Sequence, residues 1–279
     1  MRAIDCHVHP ADERVSRTWA GDLEQAKRFF RGGWPEEDLD ATAERYRKLD
    51  VFGVLLGADA ETTTGVPAYP NDELAAACRK HPDRFIGFAG IDPWKGALGV
   101  RELERSVTEL GLKGMKLHPG RQQFHPHDRR FYPLFETATA LRVPVLFHTG
   151  MMAAGAGTPG GGGMRLDWTR PIYLDHLAAD FPGLTIIAAH PSWPWADEAL
   201  AIARHKCNVF LDLSGYSPKY LPPQYVQFAN TLLQDQVLFG SDYPFITPER
   251  WLADFEQAGF RPEVHDKILF RNAQRALGL

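Results

Sequence analysis

Two histidines, His7 and His9, stand two residues apart in Asp5-Cys6-His7-Val8-His9, and their type and spacing could hold a metal ion. Neutral imidazole is the commonest protein ligand for zinc and similar divalent ions, binding at about 2.0–2.1 Å. The stretch reads as a β-strand ended by Pro10, and strand side chains alternate between two faces. That alternation predicts Asp5, His7 and His9 on one face, with Cys6 and Val8 on the other. Taken alone, the pair also reads as two unrelated surface histidines.

Other elements must bring partners to that strand. Short apolar, β-branched runs bounded by Gly, Pro or Asp occur at 3–9, 51–58, 85–92, 112–119, 143–150, 184–191, 209–215 and 237–242. They predict eight strands, several nearly continuous in apolar residues, as parallel strands covered on both faces are. Amphipathic or capped segments at 36–49, 71–79, 100–110, 129–141, 171–181, 195–205, 223–233, 248–258 and 262–277 predict helices between and after them. Regular alternation leaves a closed (β/α)8 barrel or an open doubly wound sheet. His7 and His9 end strand one, His118 strand four, His148 strand five, His190 strand six and Asp242 strand eight. A barrel gathers all strand ends at one mouth, whereas an open sheet holds strands one and eight apart. The expectation is a TIM barrel forming a single domain over residues 1–279.

Two segments interrupt the rhythm. Residues 10–35 form a long insertion after strand one that carries Arg14, Arg17, Trp19, Arg28, Phe29, Phe30, Arg31 and Trp34, and residues 155–163 read GAGTPGGGG. Loops this long inside a compact domain serve as lids or as plain surface excursions, and both readings stand for the insertion. The glycine run is expected to be mobile, and a phosphate-cradling role has no GxxxxGK[ST] pattern behind it.

A chain of 279 residues with 44% apolar content buries a large core, and a net charge of −4 spread along it offers no basic stripe. Nucleic-acid and membrane-surface partners are therefore not expected, and a small-molecule substrate is. Cys6, Cys78 and Cys207 are odd in number and without CxxC spacing, which fits reduced cytoplasmic thiols. No secretory apolar region opens the chain and no run approaches the ~18–20 residues of a membrane helix, so a cytoplasmic protein is expected. A homodimer is left open as its assembly.

IDCHVHP at the start, VLFHTG, IIAAHPSWPW and LFGSDYPF later, and KILFRNAQRALGL at the end resemble the metal-dependent amidohydrolase superfamily along the whole chain. Within it, they resemble the branch of aminocarboxymuconate-semialdehyde decarboxylase, γ-resorcylate decarboxylase and related hydrolases and hydratases. The resemblance implies His7, His9, His148 and Asp242 as ligands of one divalent ion, zinc first, with manganese or iron as alternatives. It also implies Asp242 and His190 as the catalytic pair. Such an ion lowers the pKa of a bound water to ~7, and Asp242 is placed to carry its proton.

Other readings of these residues remain open. His190 also reads as a buried histidine satisfied by backbone, and Asp242 as a turn aspartate. Lys116 occupies the strand-four place where binuclear members carry a bridging carbamylated lysine. His118 and Trp195 are the candidate substrate contacts. For His118 the alternative is support of a ligand, and for Trp195, with Trp193, loop packing. His81, His205 and His265 lie near helix ends, and His125 and His127 follow strand four without an evident partner.

The chain departs from the resemblance in two places. It has Thr149-Gly150 where aminocarboxymuconate-semialdehyde decarboxylase has Pro-Trp, and it keeps His7 where the resorcylate type has glutamate. The leading expectation is accordingly a mononuclear metal-dependent hydrolase of a small carbonyl compound, a lactone or ring-derived carboxylate. The alternative is a metal-dependent decarboxylase of a phenolic or muconate-type acid, with Arg14, Arg17 or Arg31 holding carboxylates. A non-catalytic binding protein is a third reading, against which stands the open, thiolate-free site.

Overall fold

The computed structural model describes residues 2–19, 21–30 and 37–279. Eight parallel strands run in the order β1 (Ala3–Val8), β2 (Val51–Leu56), β3 (Phe85–Gly90), β4 (Gly114–Leu117), β5 (Val145–His148), β6 (Ile186–Ala189), β7 (Val209–Asp212) and β8 (Val237–Leu238), each paired with its successor. Backbone bonds from Cys6 N to Phe239 O, from Asp242 N to His7 O and from His9 N to Tyr243 O join the last strand to the first. The single-domain barrel expected from the sequence is thus the fold, and only its closure brings the GSD segment beside the first strand. No helix among the described residues is long and apolar enough to cross a membrane.

Alternate strand residues serve two cores. Ile4, Cys6, Val54, Leu56, Phe88, Leu146, Ile187, Phe210 and Leu238 fill the barrel interior, with Ala273, Ala276 and Leu277 of the closing helix against them. The opposite faces, among them Val51, Leu55, Met115, Phe147 and Leu211, pack on the surrounding helices.

The first strand breaks the predicted alternation. Asp5 pairs with Gly53 but Val8 with Leu55, so three residues of β1 advance against two of β2. Such a bulge shifts the faces by one residue. Asp5 and Val8 consequently share the outward face, while His7 and His9 turn inward to the mouth. Asp5 does not sit beneath the histidines. Helix α3 (Leu39–Leu49), whose Asp38 cap accepts a bond from Ala41 N at 2.7 Å, sends the Tyr46 hydroxyl to Asp5 Oδ2 at 2.8 Å. Ser241 donates to Asp5 through its backbone N at 2.8 Å and its hydroxyl at 2.5 Å. Asp5 therefore anchors the segment leading into Asp242.

The ends of β2 and β3 approach backbone to backbone. A Cβ on Gly90 would lie 2.4 Å from Ala58 N, and one on Gly57 the same distance from Gly90 N. Gly90→Ala is expected to destabilise the barrel by ~1–3 kcal/mol, as overpacking of a rigid interior does. The measurement is the thermal melting midpoint, and an unchanged value would show that the two strand ends can part freely.

Candidate metal centre

A cavity of about 540 Å³, its open mouth included, lies at the C-terminal ends of the strands. His7, His9, Lys116, His118, His148, His190 and Asp242 form its polar floor. The six histidine and aspartate positions named at strand ends from the sequence therefore all line one cavity. His190 and Asp242 both hold left-handed backbone, at φ 73° and 67°. Residues other than Gly adopt this region only where the surroundings enforce it, and such conformations cluster at functional sites.

The hydrogen bonds set the tautomers. His7 Nδ1 lies 2.8 Å from Asp212 Oδ2, and with Nδ1 as the donor the Nε2 lone pair faces the cavity, where Lys116 Nζ lies 3.5 Å away. That bare Nε2 faces Asp242 Oδ1 at 3.3 Å, and His9 Nε2 lies 3.3 Å from the same oxygen. Burial, then the nearby Lys116, His190, His9 and His148, holds His7 well below its ordinary pKa. A proton on Nε2 therefore does not explain the contact. Two acceptors facing each other in a buried site fit a cation between them.

A second chain of bonds runs through His190. Its Nδ1 is 3.1 Å from Ser214 O and its Nε2 is 3.0 Å from His148 Nδ1. With Nδ1 of each ring as donor, His148 Nε2 remains, buried and without a partner among the described residues. Distance alone groups His7, His190 and Asp242, whose ligating atoms lie within 4.8 Å of one another. The bond pattern instead occupies both nitrogens of His190 and leaves one nitrogen of His148 open. Burial is the leading cause that lowers His9, His148 and His190, the last to about 4. All therefore stay in the neutral, ligating form at neutral pH. Burial raises the Asp242 carboxyl, but the His9 hydrogen bond and the charges of His190, His9 and Lys116 outweigh it and leave the pKa lowered. A set of imidazoles with one carboxylate is the donor chemistry of a divalent transition ion.

Asp212 and Ser214 are site residues that the sequence reading did not single out. Ser214 Oγ donates to Asp212 Oδ2 at 2.7 Å and lies 3.0 Å from His7 Nδ1. Carboxylates that orient a ligating imidazole raise its basicity and fix its ring. The available signal was a carboxylate at the end of β7, in the D-L-S stretch, matching the strand-end histidines. Gly215 follows with φ 74°, and a Cβ there would lie 2.6 Å from His190 Nδ1.

The remaining candidates fall out unevenly. His118 stacks on His148 with ring centroids 4.0 Å apart and accepts Arg121 N at 3.2 Å through Nδ1. Lys116 Nζ lies 3.5 Å from His7 Nε2, and burial pushes it down to about 8. Trp195, the cap of the helix that follows β6, is not among the cavity-lining residues, and Trp193 is 51% exposed. The aromatic wall comes instead from Trp19, Phe29, Phe30, Tyr216 and Phe245. Trp19 and the two phenylalanines belong to helices α1 (Glu13–Trp19) and α2 (Gly21–Phe30) of the insertion. Buried Arg121 fastens that insertion through Asp22 Oδ2 at 3.0 Å and Thr18 O at 2.9 Å. Arg14 is paired with Glu73 and Arg17 with Glu13, so neither holds a carboxylate in the cavity. Arg31 and Trp34 lie outside the described residues. In the glycine-rich loop, Gly155 N donates to Gln25 Oε1 of α2 at 2.5 Å.

The chain belongs to the Amidohydrolase family, whose profile matches residues 4–279. It falls in the branch of the aminocarboxymuconate-semialdehyde and γ-resorcylate decarboxylases. It is 32% identical to a γ-resorcylate decarboxylase of Polaromonas sp. strain JS666 over 136 residues, 41% of this chain and 42% of the relative. It is 24% identical to 2-amino-3-carboxymuconate-6-semialdehyde decarboxylase of Dictyostelium discoideum over 266 residues, 83% of this chain and 72% of the relative. An uncharacterized TIM-barrel protein of Bordetella bronchiseptica superposes with a TM-score of 0.83 at 26% identity, covering 100% of this chain and 99% of that one. A dihydroxybenzoic acid decarboxylase of Polaromonas sp. JS666, solved with manganese and 2-nitroresorcinol, superposes at 0.72 and 22% identity over 99% of this chain and 97% of that one.

These relatives overturn the expectation of a hydrolase, since the characterised ones are decarboxylases. The physical reason is that a metal centre does not by itself select the reaction. Retained His7 and the Thr149-Gly150 departure concern the ligands and their neighbours, and one such centre serves hydrolysis or carbon–carbon cleavage alike. What the cavity orients above the ligands makes the difference.

Proposed function

We propose that the protein is a metal-dependent, non-oxidative decarboxylase of an aromatic acid of the phenolic type. The observation that carries this reading is the aromatic wall set directly over the polar floor. Phe30 stacks on Phe245 with centroids 4.6 Å apart, Trp19 meets Phe245 at 5.4 Å, and Trp19 meets His9 edge-on at 5.6 Å. Faces and edges of this kind take a planar ring and leave its carboxylate towards the histidines.

His7, His9 and His148, through Nε2, and Asp242, through a carboxylate oxygen, would hold the ion, with His190 beside them. Bound there, a divalent ion supplies a fixed positive charge and Lewis acidity opposite the substrate oxygens. Asp242 is the group to carry the proton, and Asp212 and Ser214 keep the His7 ring aimed. In the reaction the ionised Asp242 takes the proton of the substrate's phenol, the freed electron pair pushes into the ring, and Asp242 passes that proton to the carbon that bears the carboxylate, the product phenolate later regaining one from water. The carbon–carbon bond then breaks, its electron pair restores the aromatic ring, and CO2 leaves. The aromatic wall keeps bulk water from the protonated carbon. Zinc and manganese both suit this donor set, and elemental analysis of the purified protein distinguishes them.

Phenolic acids are expected to release CO2 with this protein, and in deuterated solvent the product should carry deuterium at the vacated carbon. Acid release with solvent oxygen in the organic product, and no CO2, would overturn the proposal.

A further inference from the structure

The chain contains a second His-x-His, His125-Pro126-His127, which plays no part in the centre at the barrel mouth. It lies in the loop after β4, where that loop meets the helix Ile172–Asp180. His127 comes within 5.3 Å of His176 on that helix, centroid to centroid, and within 5.7 Å of His125. In the candidate metal centre the corresponding separation of the two ligand rings His7 and His9 is 5.1 Å. Imidazoles arranged tetrahedrally about one ion at about 2.0–2.1 Å place their centroids ~5 Å apart.

We propose that His125, His127 and His176 form a second metal site, outside the catalytic cavity, that takes a borderline divalent transition ion such as zinc, copper or nickel. Nδ1 of His125 and Nδ1 of His127 are both buried and without a hydrogen-bond partner among the described residues. Buried polar nitrogens are satisfied as a rule, and a shared ion satisfies both. Asp167 Oδ2 lies 3.7 Å from His125 Nε2, on the far side of the ring from the open Nδ1.

Tyr173 holds the two rings. Its ring stacks on His127 at 4.6 Å and 11° and meets His125 edge-on at 4.7 Å, while its hydroxyl donates to Asp167 Oδ1 at 2.8 Å. Burial, then His176 and His125, lowers the His127 pKa, which keeps that ring neutral and able to ligate. The ligating atoms of the three rings do not all lie within 4.8 Å of one another, so His176, exposed on its helix, turns its ring towards the other two when the ion binds. A donor set of imidazoles suits zinc, copper and nickel, and does not suit calcium or magnesium, which prefer oxygen. An ion here would pin the loop after β4 to the helix Ile172–Asp180.

The test counts ions. Protein holding its first ion is equilibrated with zinc, freed of unbound metal by gel filtration and measured for total metal per chain. About two ions are expected for the natural sequence and about one for His127→Ala and for His176→Ala, since each substitution removes a ligand. Melting midpoints measured in chelator should coincide for all three proteins, which separates loss of the ion from loss of the fold. The same ion count in the natural protein and both variants, whether one or two, would overturn the proposal.

Discussion

Asp242→Asn is expected to lower kcat for CO2 release about 10²–10⁴-fold, the range that a lost proton carrier in an active site costs. Asparagine is the right replacement for two reasons. It keeps the size and one acceptor oxygen of the side chain, and it tolerates the left-handed backbone that residue 242 holds at φ 67°. The substitution therefore leaves Asp242 N bonded to His7 O and the strand-eight segment closed on strand one. The comparison to make is turnover against melting midpoint. A variant that melts like the natural protein and still turns over at its rate would remove Asp242 from the chemistry.

His148→Ala and His190→Asn are expected to separate ligand from catalyst. His148 Nε2 is buried at the cavity floor without a partner among the described residues, so removing the ring should release the ion and the activity together. His190 has one nitrogen on Ser214 O and the other on His148 Nδ1. Its replacement by Asn, again compatible with the left-handed backbone at φ 73°, should leave the ion in place. It should reduce kcat by ~10²–10⁴-fold. Metal content by elemental analysis decides the point. If His190→Asn loses the ion, the distance grouping of His7, His190 and Asp242 gives the ligands and the hydrogen-bond pattern does not.

The reach of each kind of information differs along the chain. Hydrophobic runs bounded by Gly, Pro and Asp mark all eight strands, because burial on both faces of a parallel sheet is a local requirement written in consecutive residues. The first strand shows where that logic ends. The apolar pattern of 3–9 is consistent with simple alternation, yet pairing with β2 inserts an extra residue between Asp5 and Val8. A bulge is a relation between two strands, and one strand's residues do not announce it.

Partnership across long separations is similarly hidden. Asp212 bonds His7 from 205 positions away, and Ser241 bonds Asp5 from 236. Arg14 and Arg17 looked like free cations, but a charge near a mouth pairs with whichever carboxylate the fold sets beside it, here Glu73 and Glu13. Arg121 was unremarked in the sequence and proves to be the buried arginine that fixes the insertion. Trp195 stands close to His190 in the chain, yet it is not among the residues that line the cavity.

The sequence by itself determined the βα rhythm, the strand ends that carry the histidines and Asp242, and the family those motifs define. Only the tertiary structure decided which way β1 faces, which nitrogens remain open for an ion, and which aromatic side chains roof the cavity. The reason is geometric. Periodicity and turn chemistry act between residues a few positions apart, while orientation within the site depends on closure of the barrel, which brings residues hundreds of positions apart to within 3 Å of one another.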